Sequence, residues 1–207
     1  MKAQTKESQA AISPQQSIDL LMEGNARFLN KGGVSRDLIQ QVSETATGQY
    51  PFSSVLSCID SRIPTEIIFD QGIGDIFNAR IAGNFINEDI LGSLEFACQL
   101  AGSKSIMILG HTSCGGVKGA CDDAKLGNLT QMLAKIKPAV ERTKTEEGEA
   151  RNSSNIHFVN RVAEENVRLN VKAITEKSTV LNNLVEQGDL IIVGAMYDVA
   201  SGKVTLL

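Results

Sequence analysis

What this sequence lacks narrows its function before any motif is read. It has no tryptophan, two tyrosines, four prolines and two histidines, and aromatic residues make up 4% of its 207 positions. No apolar run approaches the roughly 20 residues a helix needs to cross a bilayer, so no membrane-spanning role is expected. Lysine and arginine number 20 against 24 aspartates and glutamates, and the two signs are interspersed. At a net charge of −4 no basic stripe is available to neutralise phosphates, which argues against nucleic acid as a partner. The first residues, MKAQTKESQAAIS, carry no apolar core of the kind a secretory leader needs. That favours the cytoplasm, with the periplasm as the alternative if a leader had been removed. Four cysteines, at 58, 98, 114 and 121, are too few to staple a chain of this length. In a reducing compartment they read as free thiols or metal ligands.

What is present is ordinary for a globular protein, with 42% hydrophobic and 21% charged residues, and one domain over residues 1–207 is the simplest division. Residues 1–12 are polar and expected to be flexible. Ser13-Pro14-Gln15-Gln16 is a helix start, with serine as cap, proline at the first position and glutamine at the capping-box position. The stripe Ile18, Leu21, Phe28 and Leu29 makes residues 13–32 a helical arm, expected to pack on a partner subunit. Buried strands are expected over 52–59, 75–79, 105–109 and 190–196, with a further edge strand at 203–206. Helices are expected over 64–70, 88–100, 128–142, 156–175 and 180–186. Residues 143–154 (TKTEEGEARNSS) read as a charged, flexible loop. Alternation of apolar strands with helices predicts an α/β fold, a mainly parallel sheet flanked by helices. Ligands in such folds gather beyond the carboxyl ends of the strands.

Two polar motifs fall there. Cys58-Ile59-Asp60-Ser61-Arg62 ends the first strand, and His111-Thr112-Ser113-Cys114-Gly115-Gly116 follows the 105–109 strand. Sulfur and imidazole donors suit zinc in tetrahedral geometry. Three protein ligands, Cys58, His111 and Cys114, leave one position open, the mark of a catalytic site. Two thiolates bring the site's charge near zero, so a carboxylate that orients the attacking oxygen gains importance. Asp60 can play that part, or it can bind the metal itself and close the site. Arg62, two residues on, can hold it away through a charge-assisted pair. The plainer readings are a surface ion pair for Asp60 and Arg62, buried structural thiols for Cys98 and Cys121, and a structural role for His157.

These motifs resemble the two signatures of the β-class carbonic anhydrases, as do Ala82-Gly83-Asn84 and Ser93-Leu94-Glu95-Phe96-Ala97 between them. The resemblance runs from about Ser13 to Tyr197-Asp198-Val199. It implies one zinc per subunit on Cys58, His111 and Cys114, an Asp60–Arg62 catalytic dyad, and reversible hydration of carbon dioxide to bicarbonate. It also implies a substrate pocket with Gln49 contributed by the neighbouring subunit, Phe77, Phe96 and the amide of Gly115. Phe96 stands where plant members have tyrosine. A dimer or tetramer is implied, the N-terminal helices embracing the partner. One subgroup has a second, inhibitory bicarbonate site that needs a tryptophan three residues before the first ligand cysteine. Here that residue is Val55, and Tyr197 alone does not make such a site. Two rivals remain open at this level: an enzyme of the same scaffold acting on carbon disulfide or carbonyl sulfide, and a non-catalytic zinc module closed by Asp60.

Overall fold

The computed structural model describes residues 2–207. The sheet is built from the most apolar segments of the chain. β1 (Ser53–Ser57), β2 (Ile76–Arg80), β3 (Ser105–His111), β4 (Ile191–Tyr197) and β5 (Val204–Leu206) lie in the order β2-β1-β3-β4-β5. The first four run parallel and β5 returns antiparallel along β4. Every residue of β1 and β3 is buried, as expected for central strands covered on both faces. Chain order reverses between β1 and β3, since β2 lies to one side of β1 and β3 to the other. A crevice opens at such a switch point, beyond the carboxyl ends of the two strands.

The helices, in chain order, are α1 (Lys6–Ala11), α2 (Pro14–Leu29), α3 (Leu38–Thr45), α4 (Thr65–Ile68), α5 (Glu88–Glu95), α6 (Gly115–Cys121), α7 (Gly127–Ala134), α8 (Lys137–Arg142), α9 (Ile156–Lys177) and α10 (Thr179–Glu186). A wider π-helical turn, Phe96–Leu100, continues α5. α9 packs across β3 and β4, and two glycines set how closely. A Cβ on Gly110 or on Gly194 would stand 2.6 Å or 2.7 Å from the methyls of Val167, so bare backbone makes room for that side chain. No helix of the described residues is long and apolar enough to cross a membrane.

The N-terminal segment departs from expectation twice. Residues 6–11, expected to be flexible, form α1, capped by Thr5 and Ser8 in a reciprocal capping box. Gln9 anchors it, its amide donating to the carbonyls of Pro51 and Ala101, each at 2.8 Å. The apolar stripe of α2 is covered in part by the chain itself, while Leu29 stays 40% exposed. Ile18 and Leu21 are buried in the chain's own core, and α2 packs against β3 and α4. Asn25 ties it down, donating to the carbonyls of Ile68 and Gly202 and accepting from the amide of Val204.

Two later segments also differ. The single helix expected over 128–142 is broken into α7 and α8, because Pro138 sits in the first turn of α8 and cannot continue the preceding helix. The 143–154 loop is strapped by Arg151, which donates to the carbonyls of Thr143 at 2.8 Å and Val140 at 2.6 Å and covers the Phe158 ring at 4.9 Å.

Candidate metal centre

Both motifs arrive at the crevice from adjacent parallel strands. Cys58 follows β1 directly, His111 is the last residue of β3, and Cys114 caps the amino end of α6. The turn between His111 and Cys114 needs Ser113 at φ 58°, and its strained amide is caught by Asn160 Oδ1 on α9 at 2.9 Å. The donor atoms of Cys58, His111 and Cys114 all lie within 4.8 Å of one another, and all three residues are buried.

The fit to zinc can be tested on two details. The Cys58 and Cys114 sulfurs are 4.0 Å apart, close to the ~3.8 Å between two sulfurs bonded to one tetrahedral zinc at about 2.3 Å each. His111 Nδ1 lies 3.0 Å from the Thr112 carbonyl, which can only accept, so the proton sits on Nδ1. That leaves Nε2 as a lone-pair donor, fully buried and without a partner. A buried nitrogen left bare is costly unless something binds it, and an imidazole oriented by a carbonyl on its other nitrogen is the usual arrangement of a metal ligand.

The thiols are electronically unequal. Cys58 is drawn down, chiefly by the hydrogen bond from Cys114, against burial and with help from the amides of Gly83 and Asp60. Cys114 is pushed up, because its proton is held on the Cys58 sulfur and its surroundings are buried. Cys98 and Cys121, expected to be structural, are buried and sit outside this cluster.

Asp60 stands beside the ligands but does not join them. Arg62 holds its carboxylate in a two-pronged ion pair, with its own amide also donating to Oδ1 at 3.0 Å. That grip keeps the Asp60 carboxyl well below the usual carboxylate range. The pair is thus more than an incidental contact between exposed groups. A residue the motifs did not announce completes the turn. Arg80, the last residue of β2, donates to the carbonyls of Cys58 at 2.9 Å and Asp60 at 2.7 Å. No sequence signal distinguishes it from a solvated strand-end arginine.

Residues 53–204 match the protein family described as carbonic anhydrase. Carbonic anhydrase 2 of Mycobacterium tuberculosis is 33% identical over 189 residues, covering 90% of this chain and 89% of that one. The β-carbonic anhydrase CafA of Aspergillus fumigatus superposes with a TM-score of 0.71 at 31% identity, covering 93% of this chain and 89% of that one. Tetrameric β-carbonic anhydrases of Sordaria macrospora give 0.68 at 26% identity, over 80% of this chain and 84% of theirs. The chain belongs to the β-class carbonic anhydrase family.

The remaining pocket positions expected of a β-carbonic anhydrase are not gathered around the triad within one chain. Gln49 is exposed and precedes β1. At about 3.3 Å per strand residue, the five residues of β1 alone put about 17 Å between it and Cys58. Phe77 pairs in register with Ser54, near the start of β1. It meets Phe96 edge to face, ring centroids 6.3 Å apart, and the two share a cleft of about 690 Å3 that contains none of the three ligands. Gly115 does adjoin the triad. It opens α6, is exposed, and has nothing within 4 Å of where a Cβ would be, so the space beside it is open to a small ligand. A cleft of about 720 Å3 between α2, α3 and α4 also holds no metal ligand; donor chemistry, not cavity size, locates the site. Val55 and Tyr197 are both buried, and the chain has no tryptophan to build the subgroup's second site.

Proposed function

We propose that this chain catalyses the reversible hydration of carbon dioxide to bicarbonate and a proton at the Cys58–His111–Cys114 centre. The observation that carries the reading is the two-pronged Arg62–Asp60 pair beside three converging metal donors. A closed, non-catalytic zinc module would need Asp60 turned onto the metal, and the Arg62 fork on its two oxygens would have to open for that. Zinc held by the three ligands supplies the Lewis acidity that brings a bound water's pKa toward neutrality.

The chain's own residues do the rest. Asp60, fixed as a carboxylate, keeps a lone pair with which to accept the hydrogen of the attacking oxygen and so aim its electron pair at the carbon. The amide of Gly115 faces the oxygen that gains charge as the linear substrate bends, the placement that makes such donors effective. Phe77, Phe96 and Gln49 complete the pocket in this reading. Their distance from the triad within one chain, together with the exposure of Gln49, supports a site shared between subunits, Gln49 coming from the neighbour. The chain is then a homo-oligomer, dimer or tetramer, and the tetrameric relatives of Sordaria macrospora support that. Four free cysteines suit a reducing compartment and so the cytoplasm; cell fractionation tests that placement.

The test of function is zinc analysis combined with a stopped-flow hydration assay across neutral and alkaline pH. One zinc per subunit with hydration activity is expected. A fully loaded protein inactive at every pH overturns the reading.

A further inference from the structure

Three asparagines on α9 reach the loop after β3, which carries His111 and Cys114, and the loop after β2, which touches the Cys58 sulfur. Asn160 accepts from the amide of Ser113, as described above. Asn166, buried at 1% exposure, donates from Nδ2 to the carbonyl of Gly83 at 2.9 Å. The amide of that same Gly83 points at the Cys58 sulfur, 3.4 Å away. Asn170, also buried, accepts from the amide of Ile86 at 2.8 Å and donates to Asn166 at both its backbone oxygen and its side-chain oxygen.

The polarity of this chain of bonds is forced. The Ile86 amide can only donate, so Asn170 must turn its oxygen to it and its nitrogen to Asn166. Asn166 must then present its oxygen to Asn170 and its nitrogen to Gly83. Only glycine fits at position 83. It lies at φ 82°, and a Cβ there would stand 2.3 Å from Ile136. Gly116, at the start of α6, packs so tightly on this loop that a Cβ on it would come within 3.2 Å of the Gly83 nitrogen.

We infer that Asn166, oriented by Asn170, is a positioning residue that holds the Gly83 amide on the Cys58 sulfur and thereby sets the donor strength of that ligand. Neither asparagine touches the metal or the substrate. Both act through the single residue Gly83, whose carbonyl and amide lie on either side of one Cα, and Asn160 braces the loop that carries His111 and Cys114, so α9 ties together the surroundings of Cys58 and Cys114. An N–H bond to a thiolate draws electron density off sulfur. Losing it makes Cys58 a stronger electron donor in a less well-fixed position. Partners of this kind, once removed, cost about 10–100-fold in metal affinity.

The inference rests on the zinc reading above, and its test separates the two. Cobalt(II) is substituted into the wild-type protein, Asn166→Asp and Asn170→Asp, and the thiolate-to-cobalt charge-transfer band and the rate of metal release to a chelator are recorded at one pH. Asn166→Asp keeps shape but cannot donate to the Gly83 carbonyl. Asn170→Asp still accepts from Ile86 but cannot orient Asn166. Both should shift the band to longer wavelength and speed release about 10–100-fold. Ile174→Val, a core change on the same helix, should lower the melting temperature without moving the band. A wild-type protein that takes up no cobalt sinks the metal site itself. If wild type loads normally and either asparagine variant, folded by circular dichroism, keeps its band and release rate, the positioning role is wrong. Should Asn166→Asp not fold, Asn170→Asp alone decides it.

Discussion

Arg62 grips both carboxylate oxygens of Asp60, Nε on Oδ1 at 2.9 Å and Nη2 on Oδ2 at 2.7 Å. The arginine is half exposed while the carboxylate is not, so the pair is less a contribution to stability than a fixture for one carboxylate. Asp60→Asn should cut kcat by about 10²–10⁴-fold, the usual worth of a positioned proton acceptor, with zinc content unchanged. Arg62→Ala should also lose turnover and keep its metal, and X-ray absorption should then show an added oxygen ligand as Asp60 swings in. Arg62→Lys cannot reproduce the fork and should fall between. Unaltered turnover in Arg62→Ala would remove the dyad from the mechanism.

The ligand set makes a sharper claim about cysteine. Cys98 and Cys121 are buried thiols that lie outside the cluster of converging donors, so neither competes for the metal. Cys114→Ala and His111→Ala should purify without zinc, whereas Cys98→Ala and Cys121→Ala should retain one per subunit by elemental analysis. Stoichiometric zinc in Cys114→Ala would rule out the assigned triad.

Because Gln49 and Cys58 sit at opposite ends of β1, two dead proteins should rescue each other. If the proposed shared site holds, Gln49→Ala loses a substrate contact and Cys114→Ala loses the metal. Refolded together, they should form mixed oligomers in which an intact metal centre faces an intact Gln49. Hydration activity should exceed the sum of the two alone. Strict additivity would mean that no site is shared.

Acid stability should depend on Asp70, well away from the metal. Burial raises its pKa, but the hydrogen bonds from Arg27 and Arg36 outweigh it and the net shift is downward. With the folded value below the unfolded one, the contribution is fully present above the ordinary carboxylate value of about 4 and fades as pH falls through the folded value. Asp70→Asn should therefore be less stable by about 3 kcal/mol at pH 7, the low end for breaking a buried pair. Denaturant titration should show that gap closing on acidification; a constant gap from pH 7 to pH 2 would contradict it.

Gly24 is where α2 meets the end of α4, and an added Cβ would stand 1.7 Å from the Phe69 carbonyl oxygen. Backbone cannot rotate away as a side chain can, so Gly24→Ala should cost about 3 kcal/mol, the upper range for overpacking. A melting temperature equal to wild type would show that α2 docks differently.

The parallel sheet and the metal site were both legible in the residues, for related reasons. Buried parallel strands must be almost wholly apolar, so β1, β3 and β4 stood out, and thiols and an imidazole at their ends were conspicuous against that background. α1 was not legible because it has no apolar stripe; a capping box and the two bonds of Gln9 hold it. α3 escaped for a related reason, since Leu38, Ile39 and Val42 are all exposed and commit its short apolar face to nothing within the chain. The burial of Ile18 and Leu21 within the chain was not legible, because an amphipathic stripe says that something will be covered, not by what. Arg80 and Asn166 act through backbone carbonyls far away in sequence, and no spacing announces such bonds.

The reversal of strand order between β1 and β3 also dictates a sequence of assembly. Cys58 and Cys114 are separated by 56 positions, and the β1–β3 ladder that brings them together is made of backbone bonds needing no metal. During synthesis the centre cannot exist until β3 and the turn after it have left the ribosome, and the β1–β3 pairing can form before any ion arrives. The centre is therefore complete only once strands far apart in the chain have paired, so its three donors depend on the ladder for their spacing.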